Sequence, residues 1–208
     1  MGANWVTAVR TAGLSAVAAK RLADRGARVI AFVGCGVQAR SHLDAFAAMF
    51  PLKEVRAFGR GPANVGRLCE LAGEHGLRAV APETPRAALE GADIVVSSIT
   101  LDYSVEPYLD ARWLKPGAFA AITDLAIPWD DAGMAAFGRI YVDDLEQEAS
   151  AERRMVAPEL ITGDLSALVC DEPQAAHDPG IASAFVFRGM ALGDLAVAAL
   201  AYRRATGG

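Results

Sequence analysis

Apolar positions along this chain fall into short runs that alternate with stretches of helical period. Residues 11–24 form the first such stretch, with Leu14, Val17, Ala18, Arg21 and Leu22 at helical spacing and Gly26 just past its end. A run rich in β-branched residues at 28–33 reads as a buried strand. It leads into Gly34-Cys35-Gly36 and a second helical stretch that Pro51 stops. The same alternation predicts strands at 54–58, 77–81, 92–97, 117–122 and 139–142. Between them it predicts helices at 62–75, 85–90 and 130–137, the first of these with Pro62 in its opening turn. Residues 170–180 read as an exposed loop. The last helix, 189–204, is apolar nearly all round, which predicts burial on more than one side.

Strands and helices in this rhythm call for an α/β fold, a doubly wound parallel sheet of the Rossmann NAD(P)-binding kind. The dinucleotide pattern would give the strand order 3-2-1-4-5-6 with right-handed crossovers. The division expected is a linking strand or helix at 1–26, the dinucleotide-binding domain at 27–170, and a loop with a linking helix at 171–208. There is no internal repeat and no low-complexity segment.

Composition narrows the function. With 53% hydrophobic and 22% charged residues, the chain is a folded protein rather than a disordered one. A net charge of −5, with arginines clustered only as pairs, disfavours nucleic acid and acidic membrane as partners. Cys35, Cys69 and Cys170, like His42, His75 and His177, are scattered without metal-ligand spacing, so a reduced compartment and no metal are expected. The N-terminus has no basic stretch leading into an apolar core, and Val6 breaks the myristoylation pattern. No run of about 18 apolar residues occurs, and a soluble, cytoplasmic protein is the expectation.

Gly34-Cys35-Gly36-Val37-Gln38-Ala39 fits G-x-G-x-x-A. Gly34 permits the tight turn, Gly36 lets the backbone approach a pyrophosphate, and Ala39 is small enough for helix to pack on strand. The first-turn N–H groups around Val37 and Gln38 would then meet the phosphates. A glycine turn without a ligand is the alternative, but the turn lies between a predicted strand and a predicted helix, the context the motif requires. A typical NAD site has an acid about 20 residues on, for the adenine ribose. Here the second strand runs into Gly59-Arg60 with no carboxylate. An arginine there suits the 2′-phosphate of NADP, so NADP(H) is expected over NAD(H); otherwise Arg60 is a solvated loop residue.

Five segments resemble the ornithine cyclodeaminase/mu-crystallin family. They are Val6-Thr7-Ala8-Val9-Arg10-Thr11-Ala12 before the first helix, and Gly34-Cys35-Gly36-Val37-Gln38-Ala39-Arg40 at the turn. Gly91-Ala92-Asp93-Ile94-Val95-Val96 and Trp113-Leu114-Lys115-Pro116-Gly117-Ala118 follow. Phe187-Arg188-Gly189-Met190-Ala191-Leu192-Gly193-Asp194-Leu195-Ala196 opens the last helix.

The resemblance implies that Arg10 pairs with a substrate carboxylate and that Thr11 lies near the cofactor. It implies that Asp124 holds the substrate amine and activates water, and that Ser98 and Thr100 border the cofactor ribose and nicotinamide. Phe187 and Arg188 would line the substrate pocket. Bland readings stand beside two of these: a surface charge for Arg10, a helix cap for Asp124. Residues Leu125-Ala126-Ile127-Pro128-Trp129 depart from the Gly/Pro-rich stretch of ornithine cyclodeaminases, and Gly189 stands where a serine is frequent. Cys35, at a helix N-terminus where a thiol's pKa can fall, reads best as a small filler.

Family members carry a long segment ahead of the Arg10-Thr11 motif that builds most of the substrate domain and the dimer interface. The resemblance implies that it is missing here, through truncation, separate encoding or a late start. The function expected is an NAD(P)-dependent oxidoreductase or cyclodeaminase acting on a small amino acid or cyclic imino acid, as a homo-oligomer or with a partner chain. Cyclodeaminase, imine reductase and amino acid dehydrogenase stay open. The alternative is a non-catalytic NADP-binding protein, or a half-molecule that works only with its partner.

Overall fold

The computed structural model describes residues 3–170 and 176–207. Eight strands form one parallel sheet: β1 (Val29–Val33), β2 (Glu54–Phe58), β3 (Arg78–Val80), β4 (Ile94–Ser97), β5 (Phe119–Ile122), β6 (Arg139–Val142), β7 (Ile161–Asp164) and β8 (Ser183–Val186). Helices α1 (Ala3–Leu22), α2 (Val37–Ala47), α3 (Pro62–Glu74), α4 (Pro85–Leu89), α5 (Asp131–Met134), α6 (Leu145–Ser150), α7 (Leu165–Cys170) and α8 (Ala191–Ala205) accompany it.

The central strands are apolar throughout because both faces are covered. Ile30, Phe32, Ile94, Val96, Phe119 and Phe185 join one buried cluster, with α1, α2 and α3. Ala31, Val33, Val95, Ile122 and Val186 join the other, with α4 and the 109–137 region. The doubly wound α/β class expected from the sequence is therefore the one observed.

The strand order is not 3-2-1-4-5-6. It is β3-β2-β1-β4-β5-β8-β6-β7. After β5 the chain passes over a position, builds β6 and β7, and returns to insert β8 between β5 and β6. Residues 171–208, read as loop and helix, thus contain a central strand, and residues 161–164 form an edge strand. Neither stands out in the sequence, because each strand is only four residues long and shows no clear period, and Ile161-Thr162-Gly163-Asp164 carries a single strongly apolar side chain. Cys170 ends α7 rather than opening a loop; the rest of that expected loop to residue 175 lies outside the described residues.

Two of the recurrent sequence segments turn out to lock the sheet's amino edge. Asp93 Oδ2 accepts the N–H groups of Arg28 (2.8 Å) and Val29 (2.7 Å), while Oδ1 pairs with the Lys115 ammonium. Burial pushes the Asp93 carboxyl up, but the ammonium and the two N–H donors outweigh it and hold it below the usual range. The starts of β1, β4 and β5 are tied together at this one carboxylate.

Helix α1 begins at Ala3, so Arg10 and Thr11 lie inside it rather than before it. Its buried stripe of Ala8, Ala12, Ser15, Ala18, Ala19 and Leu22 is mostly small, which lets α2 approach. Here His42 is fully enclosed: Nδ1 donates to the Gln38 carbonyl (2.7 Å) and Nε2 accepts from the Ser15 hydroxyl (2.9 Å).

Helix α8 overturns one expectation. Among its residues only Gly193 is buried, while Leu192, Leu195 and Tyr202 are 66%, 65% and 71% exposed. It packs on α1, where a Cβ at Gly193 would come within 2.9 Å of Leu14, and its other sides are open.

Burial drives the His42 pKa down from 6.5 to about 4, against the Gln38 carbonyl, which favours the charged ring. The folded chain therefore refuses a proton that the unfolded chain accepts, and stability falls as pH drops from 6.5 towards 4. Urea denaturation of wild type and His42→Asn should show the wild type's advantage shrinking across that window. A difference that does not change with pH would show that His42 titrates as if exposed.

Candidate active site

The carboxyl ends of β1 and β4 meet at Gly34, whose φ is +86°. A Cβ there would stand 2.5 Å from the Ser98 carbonyl oxygen, so only glycine fits. Gly34 N–H donates to the Phe58 carbonyl (2.9 Å), Ser98 N–H to the Val33 carbonyl (2.8 Å), and the Ser98 hydroxyl to the Gly34 carbonyl (3.2 Å). Gly36 precedes α2 in an extended conformation and offers no side-chain cap. A Cβ at Gly36 would meet no atom within 4 Å. The first-turn N–H groups of α2 are left available at an open backbone surface, which is what an anionic ligand requires.

A cavity of about 810 Å³ opens at this point, where the strand order reverses between β1 and β4. It brings together Gly34, Gly36, Gly59, Arg60, Ser98 and Thr100 from the residues singled out in the sequence. Asn64, Asp102 and Tyr108 also line it and were not anticipated; no spacing or periodicity marks them. Arg60 is exposed at the rim; Asp102 is held below the usual carboxylate range chiefly by Ser104 and in small part by the Arg60 charge, while burial and then Asp124 push Tyr108 up against the weaker pull of Arg60. The Cys35 thiol is pushed up to about 12, by burial and then by Cys69, so it is an inert filler.

Thr11 is buried on α1, and Val37 and Gln38 stand in the first turn of α2; none of the three lines the cavity. The Gln38 side-chain oxygen is buried without a hydrogen-bond partner.

Asp124, just past β5, is completely enclosed. Its Oδ1 accepts the Ser97 hydroxyl (3.0 Å) and its Oδ2 accepts the N–H of Ile99 (3.1 Å), a cavity residue. The Trp129 indole N–H in turn donates to Ser97 Oγ at 2.9 Å. Burial lifts the Asp124 pKa to about 7, against the pull of Ile99 and Ser97. It is not a helix cap. The chain leaves it through Leu125 and Ala126, both at φ 58°, a left-handed conformation costing L-residues about 1–3 kcal/mol each.

A third group of residues surrounds the end of β8. The Arg10 guanidinium lies over the Phe187 ring, 5.1 Å from its centre, and 3.3 Å from an Asp194 oxygen. Its Nε and Nη1 are nonetheless buried without a hydrogen bond. Gly189 has φ +141°, and a Cβ there would come within 3.2 Å of Arg10 Nη1, which accounts for glycine in place of serine. Arg188 turns the other way: its Nη2 donates to Glu148 Oε2 (2.9 Å) and to the Arg153 carbonyl (2.8 Å). Asp143, unanticipated, accepts the N–H groups of Arg188 (3.1 Å) and Gly189 (2.6 Å) and so shapes the turn from β8 to α8. Its place just after a strand, like that of Asp124, was the available signal. Burial raises its pKa, with those N–H groups opposing.

Among the described residues, no group of three His, Cys, Asp or Glu side chains comes together as a metal site, and no helix is long and apolar enough to cross a membrane.

Comparison with known proteins places this geometry in context. The sequence model of the ornithine cyclodeaminase/mu-crystallin family matches residues 1–208. Iminosuccinate reductase of Paracoccus denitrificans is 36% identical over 211 residues, covering 95% of this chain and 63% of that protein. Ketimine reductase mu-crystallin of Mus musculus is 33% identical, with coverage of 97% and 63%. The solved iminosuccinate reductase, in complex with NAD+, superposes with a TM-score of 0.80 at 28% identity, covering 99% of this chain and 66% of that one. Thermococcus litoralis Δ1-pyrroline-2-carboxylate reductase, with NADH and L-proline, superposes with a TM-score of 0.85 at 22% identity, with coverage of 98% and 66%. The chain thus spans 63% of the length of these two curated relatives.

The two turn glycines should respond differently to alanine. Gly34→Ala forces a Cβ into backbone and should cost roughly 1–3 kcal/mol or more. Gly36→Ala meets no protein atom and should cost less than about 1 kcal/mol. Chemical denaturation of both variants checks this; equal losses would mean that the contact at Ser98 does not fix the turn.

Proposed function

This chain belongs to the ornithine cyclodeaminase/mu-crystallin family, and from that premise we propose that it is the nucleotide-binding part of an NAD(P)-dependent enzyme acting on a small amino acid or cyclic imino acid. The observation that carries the reading is the glycine turn at the head of α2, opening onto a cavity at the carboxyl edge of the sheet. The fit is physical: Gly36 leaves open the space its Cβ would take, and the uncapped turn offers N–H groups to a pyrophosphate. When bound there, the dinucleotide supplies or accepts the hydride.

The chain's own residues divide the remaining work. Gly34, Gly36 and the first-turn N–H groups of Val37 and Gln38 would hold the phosphates, Ser98 and Thr100 would border the cofactor with Thr11 behind the cavity wall on α1, and Gly59 with Arg60 would receive the adenine ribose. Arg10, whose buried Nε and Nη1 make no hydrogen bond although Nε is ion-paired with Asp194, would take the substrate carboxylate in a charge-assisted contact. Phe187 supports it from beneath. Arg188, through its bonds to Glu148 and Arg153, holds the wall of the substrate pocket rather than reaching into it. Asp124, with a pKa near neutrality and one residue removed from the cavity through its bond to Ile99, would hold or move a proton for the reaction. The buried carboxylate favours amine chemistry, as in cyclodeaminases and amino acid dehydrogenases.

NADP(H) should bind more tightly than NAD(H), because no acid follows β2 and Arg60 stands at the rim instead. Fluorescence titration should give about a ten- to hundred-fold preference for NADPH, abolished in Arg60→Ala. Equal affinities in the wild type would refute the assignment.

A second reading is a half-molecule that completes its pocket with further protein. The bare leucines of α8 and the 63% span of the relatives favour it. The 208-residue chain should then bind NADPH yet turn over amino or imino acids barely at all, since half a pocket cannot exclude water or hold reacting atoms in line. It should also self-associate through α1 and α8. Amino-acid-dependent NADP+ reduction and light scattering on one preparation test both points; brisk turnover by a monomer would exclude this reading.

A further inference from the structure

The stretch 125–129, which is unlike the Gly/Pro-rich stretch of ornithine cyclodeaminases, follows directly on Asp124. Past the left-handed pair Leu125 and Ala126, the chain folds back: Ile127 N–H reaches the Asp124 carbonyl (3.1 Å) and Trp129 N–H the Ala126 carbonyl (3.0 Å). Pro128 accepts the N–H groups of both Tyr108 and Leu109 (2.8 Å each), and Asp130 N–H donates to Leu109 (2.7 Å). The Trp129 ring is thereby buried beside Phe137, with its N–H 2.9 Å from Ser97 Oγ.

The hydrogen-bond inventory then leaves few options. An indole N–H is a donor only, and so is the backbone N–H of Ile99. Ser97 Oγ accepts from Trp129, and its own proton has one acceptor within reach, Asp124 Oδ1 (3.0 Å). Two donors, the Ser97 hydroxyl and the Ile99 N–H, thus converge on one carboxylate, and the indole stands behind the first of them. If Asp124 takes up a proton and turns it towards Ser97, the serine proton is left buried without an acceptor, an unfavourable arrangement. The network therefore supports the ionised form in a site dry enough to oppose it, and directs an incoming proton away from Ser97.

We propose that Trp129 is a positioning residue that locks the Ser97 hydroxyl as a donor and so sets how readily Asp124 takes up a proton. The inference rests on the reading of Asp124 as the proton-handling group, but it concerns that group's environment and is measured without turnover. No ionised side chain is among the influences on Asp124; the titratable group facing it is Tyr108, which lines the cavity and has Arg60 on its other side. Tyr108 keeps its proton through the neutral range, since burial and then the Asp124 charge both raise its pKa.

The test is infrared difference titration of the 208-residue chain from pH 5 to 9, following the protonated carboxyl stretch that Asp124→Asn removes. Trp129→Phe should raise the midpoint by about one pH unit, a tenfold gain in proton affinity. Ser97→Ala should raise it at least as far, and the double variant should not exceed Ser97→Ala, because Trp129 acts through that hydroxyl. An unmoved midpoint in Trp129→Phe, or shifts that simply add, would overturn the proposal and leave Trp129 as core filler. If Trp129→Phe does not fold, Ser97→Ala alone decides: an unmoved midpoint refutes the relay. A shifted midpoint with normal turnover in Asp124→Asn, measured in a family member carrying its full length, would keep the relay and refute the catalytic reading.

Discussion

The close approach of Gly34 to Ser98 is the constraint on which the site depends. With a Cβ excluded at 2.5 Å from the Ser98 carbonyl, the ends of β1 and β4 can lie side by side at the point where the sheet changes direction. That contact aims α2 at the cavity. It also fixes the 97–99 segment, whose serine hydroxyl and Ile99 N–H then hold Asp124. The glycine-lined cavity and the buried carboxylate are thus anchored at one strand end. At the other edge of the sheet, the Asp93–Lys115 pair holds the starts of the same strands, so their far ends meet in register.

Two buried carboxylates flank the end of β8, and they serve different purposes. Asp143 spends one oxygen on the N–H groups of Arg188 and Gly189, fixing the turn into α8 and the backbone beside Arg10. Asp124 meets a hydroxyl and an N–H, and its pKa of about 7 shows that desolvation outweighs those donors and that they only limit the rise. A carboxylate poised in this way needs rigid surroundings, since the loss of one donor tips the balance. The strained pair Leu125 and Ala126 is consistent with that need, because the reversal there is what returns Trp129 to Ser97.

Helix α8 shows the opposite state. It is held to α1 by the missing side chain of Gly193 and by Arg10 and Asp194, but its leucines face outward. An apolar face of this size is unusual for a surface helix that has no further protein to meet. On its inner side, towards α1, the helix meets Arg10, whose Nε and Nη1 are buried without a hydrogen bond.

The doubly wound class, the positions of six strands and the phosphate turn were legible in the sequence, because each rests on local rules: runs of β-branched residues, helical spacing, and glycines where no side chain fits. Gly34, Gly36, Gly59 and Arg60 could be named for that reason, Ser98 and Thr100 through the family resemblance, and all six line one cavity. The placement of β8 between β5 and β6 was decided by tertiary packing alone, since a four-residue apolar run carries no information about its neighbours. The open face of α8 cannot be read from the helix's own pattern, because an apolar helix reads the same whether or not anything covers it; only the missing segment that the family resemblance implies pointed to it. The direction taken by Arg188 and the partners of Trp129 and Asp143 join residues 32 to 46 positions apart. Hydrogen bonds of that kind are set by which strand ends the sheet brings side by side, and no local pattern in the chain records them.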